Sequence, residues 1–270
     1  MKKKDLIFLI CNIAFKAGLI INKFYYKKIN VAFKNDKSPL TDADIASNNF
    51  IINSLLKLNL KIPILSEESY VEWRSRKSWN KYWLIDPLDG TKEFLNKNGE
   101  FTVNIALIEK NKPILGVIYA PAKSLLYYAS KKFGSYKLKT NKRIINFDKS
   151  IKIKIPNKKK SKENIAILSK SHNNKQTIQW LHNNLNKFKT INKGSSLKFC
   201  DVAEGIADIY PRFSPTSEWD IAAGQIILEE AGGYIRSINN CKINYNLKES
   251  IINSSFIASS KQFFNYKDIS

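Results

Sequence analysis

Tyr82-Trp83-Leu84-Ile85 runs straight into Asp86-Pro87-Leu88-Asp89-Gly90-Thr91, and no other segment restricts the fold so tightly. The bulky run reads as a buried strand. Proline biases Asp86 toward extended backbone, so the first carboxylate is expected where that strand ends, at Asp86-Pro87. Gly90 permits the tight turn into Thr91 and a short helix after it. Two carboxylates three residues apart at such a corner suit a shared hard cation, and amides at Gly90 and Thr91 suit a phosphate beside it. An ordinary Asp-Pro, Asp-Gly surface turn uses the same residue types. The choice rests on what else converges there.

Three other acidic spots are candidates. Glu67-Glu68 follows the apolar run Ile62-Pro63-Ile64-Leu65-Ser66, Asp44 lies at a helix start in Thr41-Asp42-Ala43-Asp44, and Asp220 opens a second helix in Trp219-Asp220-Ile221-Ala222-Ala223-Gly224. An aspartate alone at a helix start is usually a cap or a dipole partner. Strand ends and helix starts meeting at one corner instead give magnesium its oxygen ligands.

Around these positions the chain reads as two parts. Leu6, Ile10, Ile13, Ala17, Ile20, Ile21 and Phe24 fall at helical spacing. The Lys-rich start before them imitates a signal peptide but lacks its uninterrupted apolar run, so an amphipathic core helix is expected, with no bilayer-spanning segment. A second helix runs from Thr41 through Leu56, and strands follow at 62–66, 82–85, 101–108, 114–119 and 125–129, largely antiparallel. A linker is expected at Pro156 to Lys162. Beyond it strands near 165–168, 190 and 207–210 alternate with helices at 177–185, 197–205 and 219–231, an α/β pattern. The expected units are residues 1–155, an α+β half with the main metal motifs, and 156–270, an α/β half with Asp220 and the substrate contacts.

Composition excludes more than it identifies. Of 270 residues 43% are hydrophobic and 12% aromatic, a folded chain and not a disordered or collagen-like one. Three cysteines without a CxxC pair argue against a disulfide framework and fit a reducing cytoplasm. The formal charge of +22 comes mostly from lysine, 40 of the 45 basic residues, alongside heavy use of Asn and Ile. Those three residues share AT-rich codons, so a solvated lysine coat is favoured over a nucleic-acid surface. A basic nucleic-acid-binding module stays as the weaker alternative class, opposed by the scatter of the lysines and the acidity of the strongest motifs.

Ser66-Glu67-Glu68, Asp86-Pro87-Leu88-Asp89-Gly90-Thr91-Lys92-Glu93-Phe94 and Trp219-Asp220-Ile221-Ala222-Ala223-Gly224 resemble the signature set of the lithium-sensitive, magnesium-dependent inositol monophosphatase superfamily. The segment from Asn98 to Leu107, Gly194 to Cys200, and Tyr210-Pro211-Arg212-Phe213 resemble its bacterial bisphosphate nucleotidase branch. The resemblance covers nearly the whole chain, in the family's order. It implies an α+β fold, a layered αβαβα sandwich of the inositol monophosphatase and sugar phosphatase type. It implies two or three Mg2+ ions, the first on Glu67, Asp86 and the Leu88 carbonyl, the second on Asp86, Asp89 and Asp220. Thr91 with Asp44 would orient and deprotonate water, with Glu67 also in the catalytic set. The substrate would lie against Glu67, Leu88, Asp89, Gly90, Thr91 and Asp220, and its nucleotide end and second phosphate against His172, Ser195, Lys198 and Arg212. Activity expected from the resemblance is hydrolysis of adenosine 3′,5′-bisphosphate to AMP and phosphate, linked to sulfate assimilation. An inositol monophosphatase or broad sugar phosphatase is the alternative on the same metal site. A small-molecule nucleotide bisphosphate is the expected partner, with no specific nucleic acid. The expected place is the cytoplasm, and peripheral attachment to the cytoplasmic face of the inner membrane stays open.

Overall fold

The computed structural model describes residues 3–27, 31–33, 39–141, 144–156, 163–171 and 174–260. Helix α1 (Lys3–Tyr25) is followed by a short antiparallel pair, β1 (Val31–Phe33) and β2 (Pro39–Thr41), and by α2 (Asp42–Lys57). Next come β3 (Ile64–Ser66), α3 (Trp73–Arg76), β4 (Lys81–Asp89), α4 (Thr91–Leu95), β5 (Thr102–Glu109), β6 (Lys112–Ala120), β7 (Leu125–Ser130), β8 (Gly134–Lys139) and β9 (Ile151–Ile153). The remainder holds β10 (Asn164–Ser169), α5 (Lys175–Asn184), β11 (Phe188–Lys193), α6 (Leu197–Ala203), β12 (Ile209–Arg212), α7 (Glu218–Glu230), β13 (Tyr234–Ser237) and β14 (Phe256–Ser259).

Strands β3 to β9 pair in sequence order as one seven-stranded sheet, antiparallel except for β3 against β4. A five-stranded sheet has the order β11-β10-β12-β14-β13. Period-2 alternation explains why β4 and β5 are apolar nearly throughout. Trp83, Ile85, Val103, Ile105 and Leu107 join the core under α1 and α2, whereas Tyr82, Leu84, Ala106 and Ile108 join the core shared with α6 and α7. That second core also takes in Ile167, Tyr210 and Phe256 of the smaller sheet, and a third cluster packs Leu181 of α5 against its far face. The layers are therefore helices, large sheet, helices, small sheet, helix. This is the expected αβαβα sandwich, of mixed α+β class.

Helix α7 lies unusually close to the large sheet because Gly116 of β6 has no side chain. A Cβ there would stand 2.4 Å from Ile226 Cγ2 and 2.7 Å from the Ala223 carbonyl. The close packing fixes the helix whose first turn carries Asp220.

The first helix behaves as its spacing predicts, with Ile7, Ile10, Cys11, Ala14, Ala17 and Ile21 buried. One expectation needs amending: Lys4–Tyr25 is long and apolar enough to cross a membrane by length and composition, although half of that stretch is buried inside the protein. The strand expected to stop at Asp86-Pro87 continues to Asp89. Pro87 is tolerated because the ladder shifts register between Asp86 and Asp89. Most of the linker expected at 156–162 falls outside the described residues.

Candidate active site

That register shift builds the site. In a regular strand, residues three apart point to opposite faces. Leu88 should share the face of Leu84, yet it packs in the opposite core, under α1 and α2. The irregularity turns the chain over and brings Asp89 round to the side of Asp86, as bulges do beside functional sites. Gly90 follows at φ +86°, and its missing side chain leaves room for Ser195, whose Cβ would be 3.2 Å from a Cβ at position 90.

Two more carboxylates are set by helix starts of the same design. The Thr41 N–H and hydroxyl both donate to Asp44 Oδ2, at 2.8 and 2.6 Å, and the Ser217 N–H donates to Asp220 Oδ2 at 2.8 Å. Each aspartate is the third residue of its helix and is held by the residue at the cap, a capping box. The sequence places Asp44 and Asp220 at helix starts, and the structure adds Ser217 as the cap that holds Asp220.

A cavity of about 370 Å³ gathers Glu67, Asp89, Gly90, Thr91, Ser195, Lys198, Arg212 and Asp220. Asp86 stands behind this wall, 1% exposed, with Glu67, Asp89, Asp220 and Asp44 close enough to act on its charge. Asp44 reaches the cavity through Thr91, whose Oγ1 lies 3.3 Å from Asp44 Oδ1 and 3.4 Å from the Leu88 carbonyl. His172 lies outside the described residues. Every other residue expected at the site lines the cavity or stands against its wall.

The electrostatics are those of crowded acids. Burial raises Asp86 well above the usual carboxylate range, and the charges of Glu67, Asp89, Asp220 and Asp44 raise it further. Asp220 is raised by burial and then by Asp89 and Glu67. Asp89 is pushed up to about 6 by burial, against the opposing pull of Lys198, the Ser196 N–H and the Asn104 amide. Burial brings Lys198 down to about 8, with Arg212 acting in the same direction and Asp89 opposing it. Lys198 Nζ also sits 5.3 Å above the Tyr210 ring.

Among the described residues no three acidic, histidine or cysteine side chains are already closed round one point as a metal cluster. The donor set nevertheless fits a hard divalent cation. It is all oxygen, and its carboxylates repel one another in a buried place where only positive charge relieves the cost. Ser195 Oγ, buried in the cavity wall, has no hydrogen-bond partner, so it is ready to bond a ligand.

These shifts predict a pH-dependent response to magnesium. Asp86, Asp89 and Asp220 all bind protons more tightly folded than unfolded. The stability this gives the metal-free protein is full below the ordinary carboxylate pKa of about 3.8 and is lost as pH rises, through about 6 for Asp89 and through the raised pKa values of Asp86 and Asp220. Magnesium bound to the folded state offsets that loss, by about 2.7 kcal/mol at a hundred times its Kd. Thermal melts with magnesium and with chelator are expected to separate by several degrees near pH 8 and to converge near pH 5. An equal separation at both pH values contradicts the acid-cluster reading.

Sequence reasoning missed the residues that hold the site shut. Glu93 Oε1 accepts from the Ser171 hydroxyl, and Glu100 Oε2 accepts the Gly194 N–H at 3.0 Å. The Ser196 N–H donates to Asp89 Oδ2 at 2.6 Å. Each lies in a segment that the resemblance covers, but its partner comes from the other half of the chain, so no local pattern shows the bond.

Comparison with known proteins agrees with this geometry. Residues 2–266 match the inositol monophosphatase family. The 3'(2'),5'-bisphosphate nucleotidase CysQ of Buchnera aphidicola subsp. Acyrthosiphon pisum is 46% identical over 264 residues, spanning 93% of this chain and 92% of that protein. The crystal structure of CysQ from Bacteroides thetaiotaomicron superposes with a TM-score of 0.85 at 36% identity, covering 96% and 98% of the two chains. An IMPase/NADP phosphatase complexed with Mg2+ and phosphate shares the fold, with a TM-score of 0.77 at 20% identity over 96% of this chain and 91% of that one. With a match over nearly its whole length and the acid-lined corner between its two sheets, the chain belongs to the inositol monophosphatase family.

Proposed function

We propose that the chain is a magnesium-dependent 3'(2'),5'-bisphosphate nucleotidase, removing the 3′-phosphate of adenosine 3′,5′-bisphosphate to leave AMP. The observation that carries the proposal is one cavity lined both by carboxylates and by the cations Lys198 and Arg212. Its likeness to the Buchnera nucleotidase supports the choice of a nucleotide substrate.

Of two or three magnesium ions, the first would be held by Glu67, Asp86 and the Leu88 carbonyl and the second by Asp86, Asp89 and Asp220. Magnesium, when bound, supplies Lewis-acid charge at the phosphoryl oxygens and makes bound water acidic enough to be a nucleophile at neutral pH. The protein's own part is positioning. Thr91 Oγ1 donates to Asp44 Oδ1 and accepts from the attacking water, so the water's proton has a route to the Asp44 carboxylate. The Gly90 and Thr91 amides and Ser195 Oγ face the phosphate, while Lys198 and Arg212 bind the phosphate that does not react.

The halves 1–155 and 156–270 act as the two jaws of the site, supported by the large sheet lying wholly in the first and the small sheet wholly in the second. A cytoplasmic enzyme is the location proposed, supported by three unpaired cysteines, Cys11 and Cys200 buried and Cys241 exposed.

Phosphate release from adenosine 3′,5′-bisphosphate, inositol monophosphate and fructose bisphosphate, with magnesium and with chelator, tests the reading. The bisphosphate nucleotide is expected to be preferred, with lithium inhibiting. Preference for inositol monophosphate replaces the nucleotidase reading with a broader phosphatase on the same site.

A further inference from the structure

Asn104, near the centre of the segment Asn98 to Leu107, does not itself line the cavity but bonds two residues that do. It is 1% exposed on β5, opposite Asp86 in the ladder and on the same face as Ala106. Its Nδ2 donates to Asp89 Oδ2 at 3.3 Å. Its Oδ1 accepts from the Thr102 hydroxyl at 3.0 Å and from the Ser196 hydroxyl at 2.8 Å, and those two hydroxyls lie 2.8 Å apart.

The bonding fixes which way the amide faces. An ionised carboxylate only accepts, so the NH2 end must turn to Asp89 and the oxygen to the two hydroxyls. The two hydroxyls keep it there, and neither Thr102, at 0% exposure, nor Ser196, at 2%, has water to compete. Ser196 closes the circuit, because its backbone N–H donates to the same Asp89 oxygen that Asn104 reaches. A group from the first half and a group from the second thus grip one carboxylate together. Ser196 is followed at once by Leu197-Lys198, the start of α6, and preceded by Ser195 in the cavity wall. The ring therefore ties the orientation of Asp89 to the docking of the segment that carries Ser195 and Lys198.

We infer that Asn104 is a positioning residue: through the Thr102–Asn104–Ser196 ring it aims Asp89 for magnesium and couples that aim to the substrate segment at Ser195–Lys198. This rests on the reading of Asp89 as a magnesium ligand. Partners of this kind around metal ligands typically change metal affinity or activity by about 10- to 100-fold when removed. Nothing in the inference concerns which phosphate ester is hydrolysed.

The test is magnesium binding to metal-stripped protein by titration calorimetry, with no substrate present, for the unmodified chain, Asn104→Ala and Thr102→Val. Thr102→Val keeps volume while removing a hydroxyl of the ring, so it stays informative where Asn104→Ala folds poorly. Tyr127→Phe is the control, since it deletes the buried Tyr127 hydroxyl bond to Glu204 Oε1 away from the site. Magnesium affinity is expected to fall about ten-fold or more in Asn104→Ala and by less in Thr102→Val, and to hold in Tyr127→Phe. The magnesium concentration for half-maximal rate should rise by the same factors in turnover assays. Unchanged affinity in both ring variants overturns the inference, as does an equal loss in Tyr127→Phe, which would mark general loosening. A failure to hydrolyse nucleotide bisphosphates in the unmodified protein overturns the proposed activity instead and leaves this comparison intact.

Discussion

Asp89→Asn is expected to lower the magnesium-dependent turnover by at least about a thousand-fold, which corresponds to ~4 kcal/mol of lost transition-state stabilisation. The change removes a ligand charge and almost no volume. The asparagine oxygen can still accept the Ser196 N–H that Asp89 holds at 2.6 Å, so the segment between β11 and α6 stays docked. Metal-free stability at neutral pH should not fall, because Asp89 is one of the charges that push Asp86 and Asp220 upward. The stabilisation on adding magnesium should shrink at the same time, since one of the charges that attract the ion is gone. Activity that survives at limiting magnesium contradicts the place given to Asp89. A variant that loses activity together with its near-ultraviolet circular dichroism signal shows a fold defect, which the conserved volume argues against.

Arg212→Ala has the second largest expected effect, and it separates substrate recognition from chemistry. Arg212 is 8% exposed in the cavity wall, its Nη2 donating to the Pro215 carbonyl at 3.2 Å. The fork of the guanidinium is suited to two oxygens of one phosphate. Loss of a charge-assisted bond of this kind costs about 1.5–3 kcal/mol, roughly ten- to a hundred-fold in binding. KM for adenosine 3′,5′-bisphosphate should rise by that factor with kcat little changed. Hydrolysis of a small monophosphate, which has no second phosphate to grip, should change little. A metal-site defect lowers both substrates together. Equal loss on both, with magnesium binding retained, would show Arg212 to be part of the scaffold.

Much of the site was legible because its chemistry is local. Asp86-Pro87-Leu88-Asp89-Gly90-Thr91 is one continuous segment from the end of β4 to the start of α4, and Asp44 and Asp220 sit in helix starts. The end of strand β4 is not legible locally, because proline ordinarily stops a strand and here does not. The ladder tolerates it by slipping register, a feature that depends on β5 alongside and leaves no mark in β4 itself. Strands β8, β9, β13 and β14 are short or polar and gain their shape from neighbours already in place, as when Tyr234–Ser237 pairs with Phe256–Ser259 across an irregular stretch. The Asn104 ring and the bonds from Glu93 and Glu100 were hidden for a related reason. Ser196 is 92 residues from Asn104, and only the layered packing brings them together.

The lysine coat illustrates the opposite case, a loud signal with little structural consequence. Lys198 differs from the other lysines because it is 5% exposed beside Asp89, and its pKa, brought down to about 8 by burial, follows from that place. Sequence gave it no distinction beyond its neighbours in the Gly194 to Cys200 segment. Position, not abundance, makes this one the candidate substrate contact.

The most direct test of the account is phosphorus NMR of adenosine 3′,5′-bisphosphate incubated with the unmodified protein and magnesium, repeated with chelator. The account predicts loss of the 3′-phosphate resonance, growth of inorganic phosphate and retention of the 5′-phosphate as AMP, all abolished by the chelator. Retention of both nucleotide phosphates while inositol monophosphate is hydrolysed, or hydrolysis that continues unchanged without magnesium, would contradict it.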